Sequence, residues 1–203
     1  TIHTGLGYIE PCEGPAFAQT LTTLHESYHP EVVHAQLNVL STHDTPRLYT
    51  IANQDISTVR LMFLCQMTLA GAPNIYYGDE IALPGARDPD CRRAFPWEDE
   101  NSWNRPLLED VRRFIALRHT TPALRRGDFK ILHATRNVVV YRRRYEEQTA
   151  VVAFNTGRQA ATFTVEEGIE GQLADGLERG GTPLVAGRPL KIGPRAGRIW
   201  ISG

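Results

Sequence analysis

Between Leu40 and Leu48 the chain sets out a run of reactive side chains, Ser41-Thr42-His43-Asp44-Thr45-Pro46-Arg47. A fixed carboxylate stabilises positive charge developing on a reacting centre, an imidazole donates to or accepts from a hydroxyl, and a guanidinium orients a carboxylate. Val32 to Leu40, largely apolar and short enough for a buried strand, leads into this run, and Pro46 stops the strand from continuing. The residues alone leave two readings open: a turn whose carboxylate caps backbone amides, or chemistry placed at a strand end.

A second group of candidates lies downstream. Tyr76, Tyr77, Asp79 and Glu80 surround Gly78 at the end of the short run Pro73 to Tyr77. The segment from Ile81 to Asn104 then carries Asp88, Asp90, Arg92, Arg93, Trp97 and Trp103 among Pro84, Gly85, Pro89 and Pro96. Tyrosines of an inner strand commonly pack with a hydrogen-bonded tip, Glu80 can pair with an arginine, and the Asp and Arg residues can form a structural ion-pair cluster. The same types can line a binding cleft, with the tryptophans as flat apolar faces. Calcium is not indicated, because Asp88 and Asp90 fall short of the roughly six to eight oxygens such an ion takes. Cys12, Cys65 and Cys91 lack the spacing of a zinc site or a disulfide framework, which predicts thiols in a reducing, cytoplasmic compartment. No metal and no cofactor is expected. His25, His29, His34, His119 and His133 show no partner pattern.

These candidates need elements to hold them. Pro15 suits a first helical turn, and Phe17, Leu21, Leu24 and Tyr28 form an apolar stripe that Pro30 ends, so this helix should cover a sheet. Asn53, Gln54 and Asp55 are cap candidates for a largely apolar helix from Ile56 to Ala70, closed by Gly71. Pro73 to Tyr77 reads as a short inner strand. Helix, strand, helix, strand is the repeat of a parallel sheet covered by helices. Asn104 and Pro106 start the next helix, with Leu107, Leu108, Val111, Phe114, Ile115 and the stem of Arg118 inward and Pro122 beyond its end.

After Gly127 the texture changes. Phe129 to Ala134, Val138 to Tyr145, Ala150 to Phe154, Ala161 to Val165, Gly171 to Asp175, Pro183 to Ala186, Pro189 to Ile192 and Arg198 to Ser202 are short runs, mostly rich in β-branched or aromatic residues and separated by turn-forming types. They predict an all-β module with a boundary near Leu124 to Asp128. Thr1 to Gly14 shows no period and reads as loop or as the tail of a preceding element.

The 203 residues, 41% hydrophobic and 22% charged, suffice for a real core. A formal net charge of -1 gives no field to gather nucleic acid or anionic lipid. No run is apolar for long enough to cross a bilayer, and the N-terminal residues lack a signal-peptide layout. Neither nucleic acid nor membrane is therefore an expected partner.

Four stretches together resemble the α-amylase family of glycoside hydrolases, in its neopullulanase, maltogenic amylase and cyclomaltodextrinase branch. They are Ser41 to Arg47; Gly71-Ala72-Pro73-Asn74-Ile75-Tyr76-Tyr77-Gly78-Asp79-Glu80; Asp88-Pro89-Asp90-Cys91-Arg92-Arg93 with Pro96-Trp97; and Ile115-Ala116-Leu117-Arg118 leading to Pro122-Ala123-Leu124. The resemblance implies α/β plus all-β architecture: the C-terminal part of a (β/α)8 TIM barrel over residues 1–125, followed by a small antiparallel β-sandwich over 126–203. Strands ending at Leu40 and Tyr77 would be the seventh and eighth, and His43 and Asp44 would stand at the barrel mouth. By the same resemblance Asp44 matches the family's transition-state-stabilising carboxylate and His43 its sugar-hydroxyl ligand. Arg47, Tyr77, Glu80 and Trp97 are weaker candidates for contact with an α-glucan oligosaccharide or polysaccharide.

Retaining cleavage of a glycosidic bond also needs a nucleophilic carboxylate and a carboxylic acid. The resemblance puts those at the fourth and fifth strands, before anything recognisable here. A whole barrel takes about 250 residues. The expectation is therefore a C-terminal piece of a retaining α-glucan hydrolase that is inactive alone, prone to dimerise through exposed barrel surface. The alternative is a non-catalytic member that keeps the scaffold for carbohydrate binding or assembly. A longer parent could hold calcium, although these residues do not indicate it.

Overall fold

The computed structural model describes residues 2–4, 8–10 and 12–202. Strands β1 (Ile2–Thr4) and β2 (Tyr8–Glu10) pair antiparallel within the stretch that reads as loop. Ladders this short leave no periodic signal. Helix α1 (Gly14–Ser27) follows with a proline in its first turn, as expected, burying Ala18 and half-burying Phe17, Leu21 and Leu24. Its start lies so close to the sheet that a Cβ on Gly14 would meet the Thr135 carbonyl oxygen at 2.1 Å. Tyr28, the last residue of the predicted stripe, lies outside the helix and is 52% exposed.

The expected long strand from Val32 to Leu40 is not formed. Pro30–Ala35 is a short helix, α2, and only Leu37–Val39 is strand, β3. The cause is local: Pro30 is preset for a first helical turn, and the His29 ring accepts a hydrogen bond from the Glu31 amide, which starts the helix in a β-prone sequence. Helix α3 (Leu48–Ile51) precedes α4 (Ile56–Thr68), where Asp55 accepts from the Ser57 amide at 3.1 Å. Strand β4 (Ala72–Asn74) pairs parallel to β3, from Leu37 opposite Ala72 to Val39 opposite Asn74. The predicted inner strand therefore starts earlier and stops before Ile75. Gly71 makes the entry turn at φ +97°, where a Cβ would meet the Gln36 carbonyl oxygen at 2.6 Å.

Short 3-10 turns at Asp79–Ile81, Asp90–Arg92 and Glu100–Ser102 punctuate the connecting segment. Helix α5 (Arg105–Thr120), capped by Asn104 on the Leu107 amide at 3.0 Å, runs into α6 (Pro122–Arg126). The eight predicted strands are present as β5 (Lys130–Ala134), β6 (Val138–Tyr145), β7 (Gln148–Asn155), β8 (Ala161–Phe163), β9 (Gln172–Asp175), β10 (Leu184–Val185), β11 (Leu190–Ile192) and β12 (Ala196–Ile201). Six form one antiparallel sheet in the order β10-β9-β12-β7-β6-β5, and β11 and β8 form a second sheet.

Strand alternation divides the packing. Val138, Val140, Val151, Ala153 and Trp200 face the β8/β11 pair and meet Phe163, Leu190 and Ile192. Val139, Tyr141, Val152, Phe154 and Ile199 face the other way and join Ala18, Leu61, Leu64, Phe114 and Leu124 of the helices in a single core. Both faces of the large sheet are thus covered.

The junction between helices and sheet is closed by two buried arginines that form no ion pair within 4.0 Å among the described residues. Arg118 donates to the carbonyls of Met67 at 2.8 Å, Leu69 at 2.9 Å and Leu124 at 3.1 Å, and also to that of Gly71. Arg143, from the middle of β6, donates to Thr68 at 2.8 Å, Leu124 at 3.0 Å, Gly127 at 2.9 Å and Asp128 at 2.7 Å. These carbonyls include the unpaired C-terminal end of α4, whose dipole favours a cation. Burial pushes the Arg143 guanidinium down to about 10 and lowers that of Arg118. Among the described residues, no helix is long and apolar enough to cross a membrane.

Candidate functional site

The segment Ser41–Arg47 emerges from β3 and returns into α3. Parallel pairing of β3 with β4 brings the chain after Asn74 alongside it, so Tyr76 to Glu80 lie beside Ser41 to Leu48. His43 and Asp44 are at the tip, 63% and 67% exposed, with His43 Nε2 3.3 Å from Asp44 Oδ2. The segment is turned by its own threonines: Thr45 Oγ1 accepts from the Thr42 amide at 2.9 Å and Thr42 Oγ1 from the Asp44 amide at 3.1 Å. The capped-turn reading of the sequence thus describes the backbone here, but the cap atoms are hydroxyls, which leaves the Asp44 carboxylate outside the turn.

The connecting segment supplies one wall. Arg92 bridges Asp44 at 3.3 Å and Asp88 at 2.9 Å, and its Nε donates to the His43 carbonyl at 3.0 Å. The Cys91 thiol donates to the same carbonyl at 3.1 Å. Arg93 pairs with Asp90 at 2.6 Å. The cluster of Asp88, Asp90, Arg92 and Arg93 is therefore an ion-pair network that also grips the tip.

Arg47, a candidate sugar contact by sequence, has 0% exposure. Its guanidinium stacks on Tyr76 and Tyr77, 4.7 and 4.6 Å from the ring centroids, and donates to the carbonyls of Tyr77 and Arg93. Two glycines make room: a Cβ on Gly78 would stand 3.1 Å from Arg47 Nη1, and one on Gly85 3.0 Å from Arg47 Cδ. Tyr77 is 41% exposed, and its hydroxyl donates to the Arg93 carbonyl at 2.9 Å. Glu80 forms no ion pair among the described residues, and its Oε2 is buried without a hydrogen-bond partner. Trp97, 72% exposed, stacks on Phe95 at 4.3 Å, and Trp103 packs edge-on with its indole N–H on the Pro96 carbonyl at 3.0 Å.

Beneath the tip lies Asp79, a candidate by sequence whose link to the Ser41–Leu48 segment the sequence did not reveal. Asp79, 2% exposed, accepts from the Ser41 hydroxyl and from the Leu48 amide at 3.3 Å, and stands 4.0 Å from Arg47 Nη1. Burial outweighs these partners and pushes its carboxyl up to about 6. The signal in the sequence was weak: Ser41 and Asp79 are far apart along the chain, and only parallel pairing makes them neighbours. No group of three or more His, Cys, Asp or Glu residues that could hold a metal occurs among the described residues.

Parallel strands flanked by helices, an imidazole-carboxylate pair beyond a strand end, and an appended antiparallel sandwich define part of a glycosidase-type (β/α) barrel with its C-terminal β domain. The comparisons agree. Residues 8–107 match the alpha amylase catalytic domain and residues 127–182 the alpha-amylase C-terminal domain, and the chain belongs to the α-amylase family. It is 41% identical over 154 residues to a cyclomaltodextrinase from Geobacillus thermopakistaniensis, covering 75% of this chain and 26% of that one. It is 36% identical over 152 residues to neopullulanase 2 of Thermoactinomyces vulgaris, covering 74% and 26%. The native debranching enzyme of Nostoc punctiforme superimposes with a TM-score of 0.83 at 36% identity over 95% of this chain and 40% of that structure. The chain therefore spans about a quarter of the length of the curated relatives it matches.

Proposed function

We propose that this chain forms the portion of a retaining α-glucan hydrolase that holds the glucosyl unit at the barrel mouth, with residues 1–125 as the barrel part and 126–203 as the β domain. The observation that carries the reading is the exposed His43–Asp44 pair at the end of a strand that runs parallel to its neighbour. Asp44 would orient sugar hydroxyls and stabilise positive charge on the ring, and His43 would donate to a hydroxyl. Tyr77 and Trp97, 41% and 72% exposed, are further candidates for contact with the sugar, and Arg47 acts through the segment it supports. The substrate class is a maltooligosaccharide, cyclodextrin, pullulan or starch chain, in line with the names of the relatives, and a cytoplasmic setting suits the thiols of Cys65 and Cys91.

The isolated chain is expected to bind without turning over. Retaining hydrolysis needs two carboxyl groups about 5 Å apart across the bond, one of them protonated. Here Asp44 and Asp88 share Arg92, Asp90 is held by Arg93, and Asp79 is buried. Reducing-sugar release from cyclodextrin, pullulan and maltoheptaose by the purified 203-residue chain should stay at background. Titration with maltotriose should perturb His43 and Asp44 resonances in the millimolar range, and Asp44→Asn should abolish that response. Turnover that survives repurification would overturn the first expectation, and an unchanged response in Asp44→Asn the second. Leu37 and Val39, 62% and 39% exposed beside the open edge of β3, lead us to expect self-association of the isolated chain, to be read by light scattering.

A further inference from the structure

We propose that Asp79 is a positioning residue for the His43–Asp44 pair, tying together both ends of the segment that carries them without itself touching sugar. The proposal rests on the functional reading above and extends it to a residue that nothing yet assigns. The geometry is that of a clamp. One carboxylate oxygen accepts from the Ser41 hydroxyl, where the segment leaves β3, and the other from the Leu48 amide, where it enters α3. The residues between, His43 and Asp44 among them, are therefore a loop closed at its base by a single side chain that is 2% exposed. Ser41, also 2% exposed, has no other hydroxyl partner among the described residues.

The charge supports the same assignment. Arg47 lies in the segment, is fully buried, and has Asp79 as its nearest carboxylate at 4.0 Å. Removing that charge leaves a guanidinium held only by carbonyls and tyrosine faces, so the base of the segment loosens as well as its ends. Glu80 beside Asp79 opposes ionisation of the Asp79 carboxyl, as burial does. A side chain kept ionised at neutral pH against its own desolvation is a poor choice for stability alone. It is a good choice where two donors must be aimed from one point, because a carboxylate accepts on both oxygens and has no donor of its own to misplace.

The clamp also determines how the tip is presented. The His43 carbonyl is gripped from outside by Arg92 and Cys91, both from the connecting segment. Asp79 and these two contacts together hold the backbone that carries His43 and Asp44, whose side chains stay exposed. Preorganisation of that kind lowers the ordering cost of binding a sugar ring.

The test uses the full chain, isotopically labelled, as wild type, Asp79→Asn and Ser41→Ala. Asparagine keeps the size and one acceptor, so Asp79→Asn should fold, and Ser41→Ala removes only one end of the clamp. In wild type the amides of Thr42, Asp44 and Leu48 should shift together with a midpoint near pH 6. In Asp79→Asn that common step should vanish and the Leu48 amide should lose at least tenfold in exchange protection. In Ser41→Ala the Thr42 and Asp44 amides should move while Leu48 stays protected. Maltotriose affinity should fall about fivefold in both variants, a modest loss because the sugar-facing side chains remain. Unchanged amide shifts and Leu48 protection in Asp79→Asn would overturn the clamp, whatever happens with sugar. Altered amides with no maltotriose response even in wild type would leave the clamp standing and reject the sugar-binding reading on which its purpose rests.

Discussion

At the junction of helices and sheet, Arg118 and Arg143 donate their hydrogen bonds to backbone carbonyls, whereas at the mouth Arg92 meets the carboxylates of Asp44 and Asp88. Carbonyls at helix ends are fixed by the chain and do not titrate, so the junction is a stiff joint that pH within the working range leaves alone. The mouth is the reverse. Its pairs are about half-exposed or more, such pairs contribute little to stability, and water or sugar hydroxyls can compete for each partner. Asp79 lies between these regimes, buried like the arginines of the junction yet ionisable like the groups of the mouth. The difference separates what holds the fold from what is available to a ligand.

The comparison breaks most visibly at the junction. Arg143→Met should cost roughly 3–5 kcal/mol, seen as a lower urea midpoint, because the Thr68, Leu124, Gly127 and Asp128 carbonyls lose a donor that water cannot replace at a buried site. Arg143→Lys should recover only part of that loss, since one ammonium cannot span four carbonyls arranged around a planar fork.

Next in size is the pH effect at Asp79. Its carboxyl is raised from 3.8 to about 6, so the folded state holds the proton to higher pH than the unfolded chain does. The contribution of this group to stability is accordingly full below pH 4 and lost as pH rises through 6. Asp79→Asn lacks that slope, and its stability relative to wild type should climb by about 2 kcal/mol between pH 4 and 7, measured by denaturation at each pH.

Asn104→Ala should cost about 1 kcal/mol by removing the cap on the Leu107 amide, visible as a small drop in melting temperature without loss of sugar response. The smallest effect on stability belongs to the mouth itself. Asp44→Asn should move the unfolding free energy by no more than about 0.5 kcal/mol, since its partners His43 and Arg92 are exposed, while removing the maltotriose response. A large destabilisation in that variant would place Asp44 with the junction arginines and collapse the contrast.

Legibility in the sequence follows the range of the forces involved. Helices α4 and α5 were readable because their caps, Asp55 and Asn104, and their terminators are local. The strands of the β domain were readable because turn residues separate short β-prone runs, although β8 stops at Phe163 short of the expected Val165. Val32 to Ala35 misled because β-branched residues there are overruled by the proline at the start of α2. At the site, His43 and Asp44 stood out through motif and resemblance. Asp79 did not stand out as their support, and neither did Arg118 and Arg143 as carbonyl donors.

By itself the sequence determined helices α1, α4 and α5, the strands of the β domain and the presence of an imidazole-carboxylate pair after a strand, because caps, turn residues and apolar period act over a few residues. Only the tertiary structure decided which groups support that pair. Parallel pairing of β3 with β4 sets Asp79 under Ser41 and Leu48, and packing of β6 against α6 brings Arg143 to the carbonyls of Leu124 and of Thr68 at the end of α4. Both depend on contacts between residues distant in the chain, where burial and charge are properties of the assembled fold.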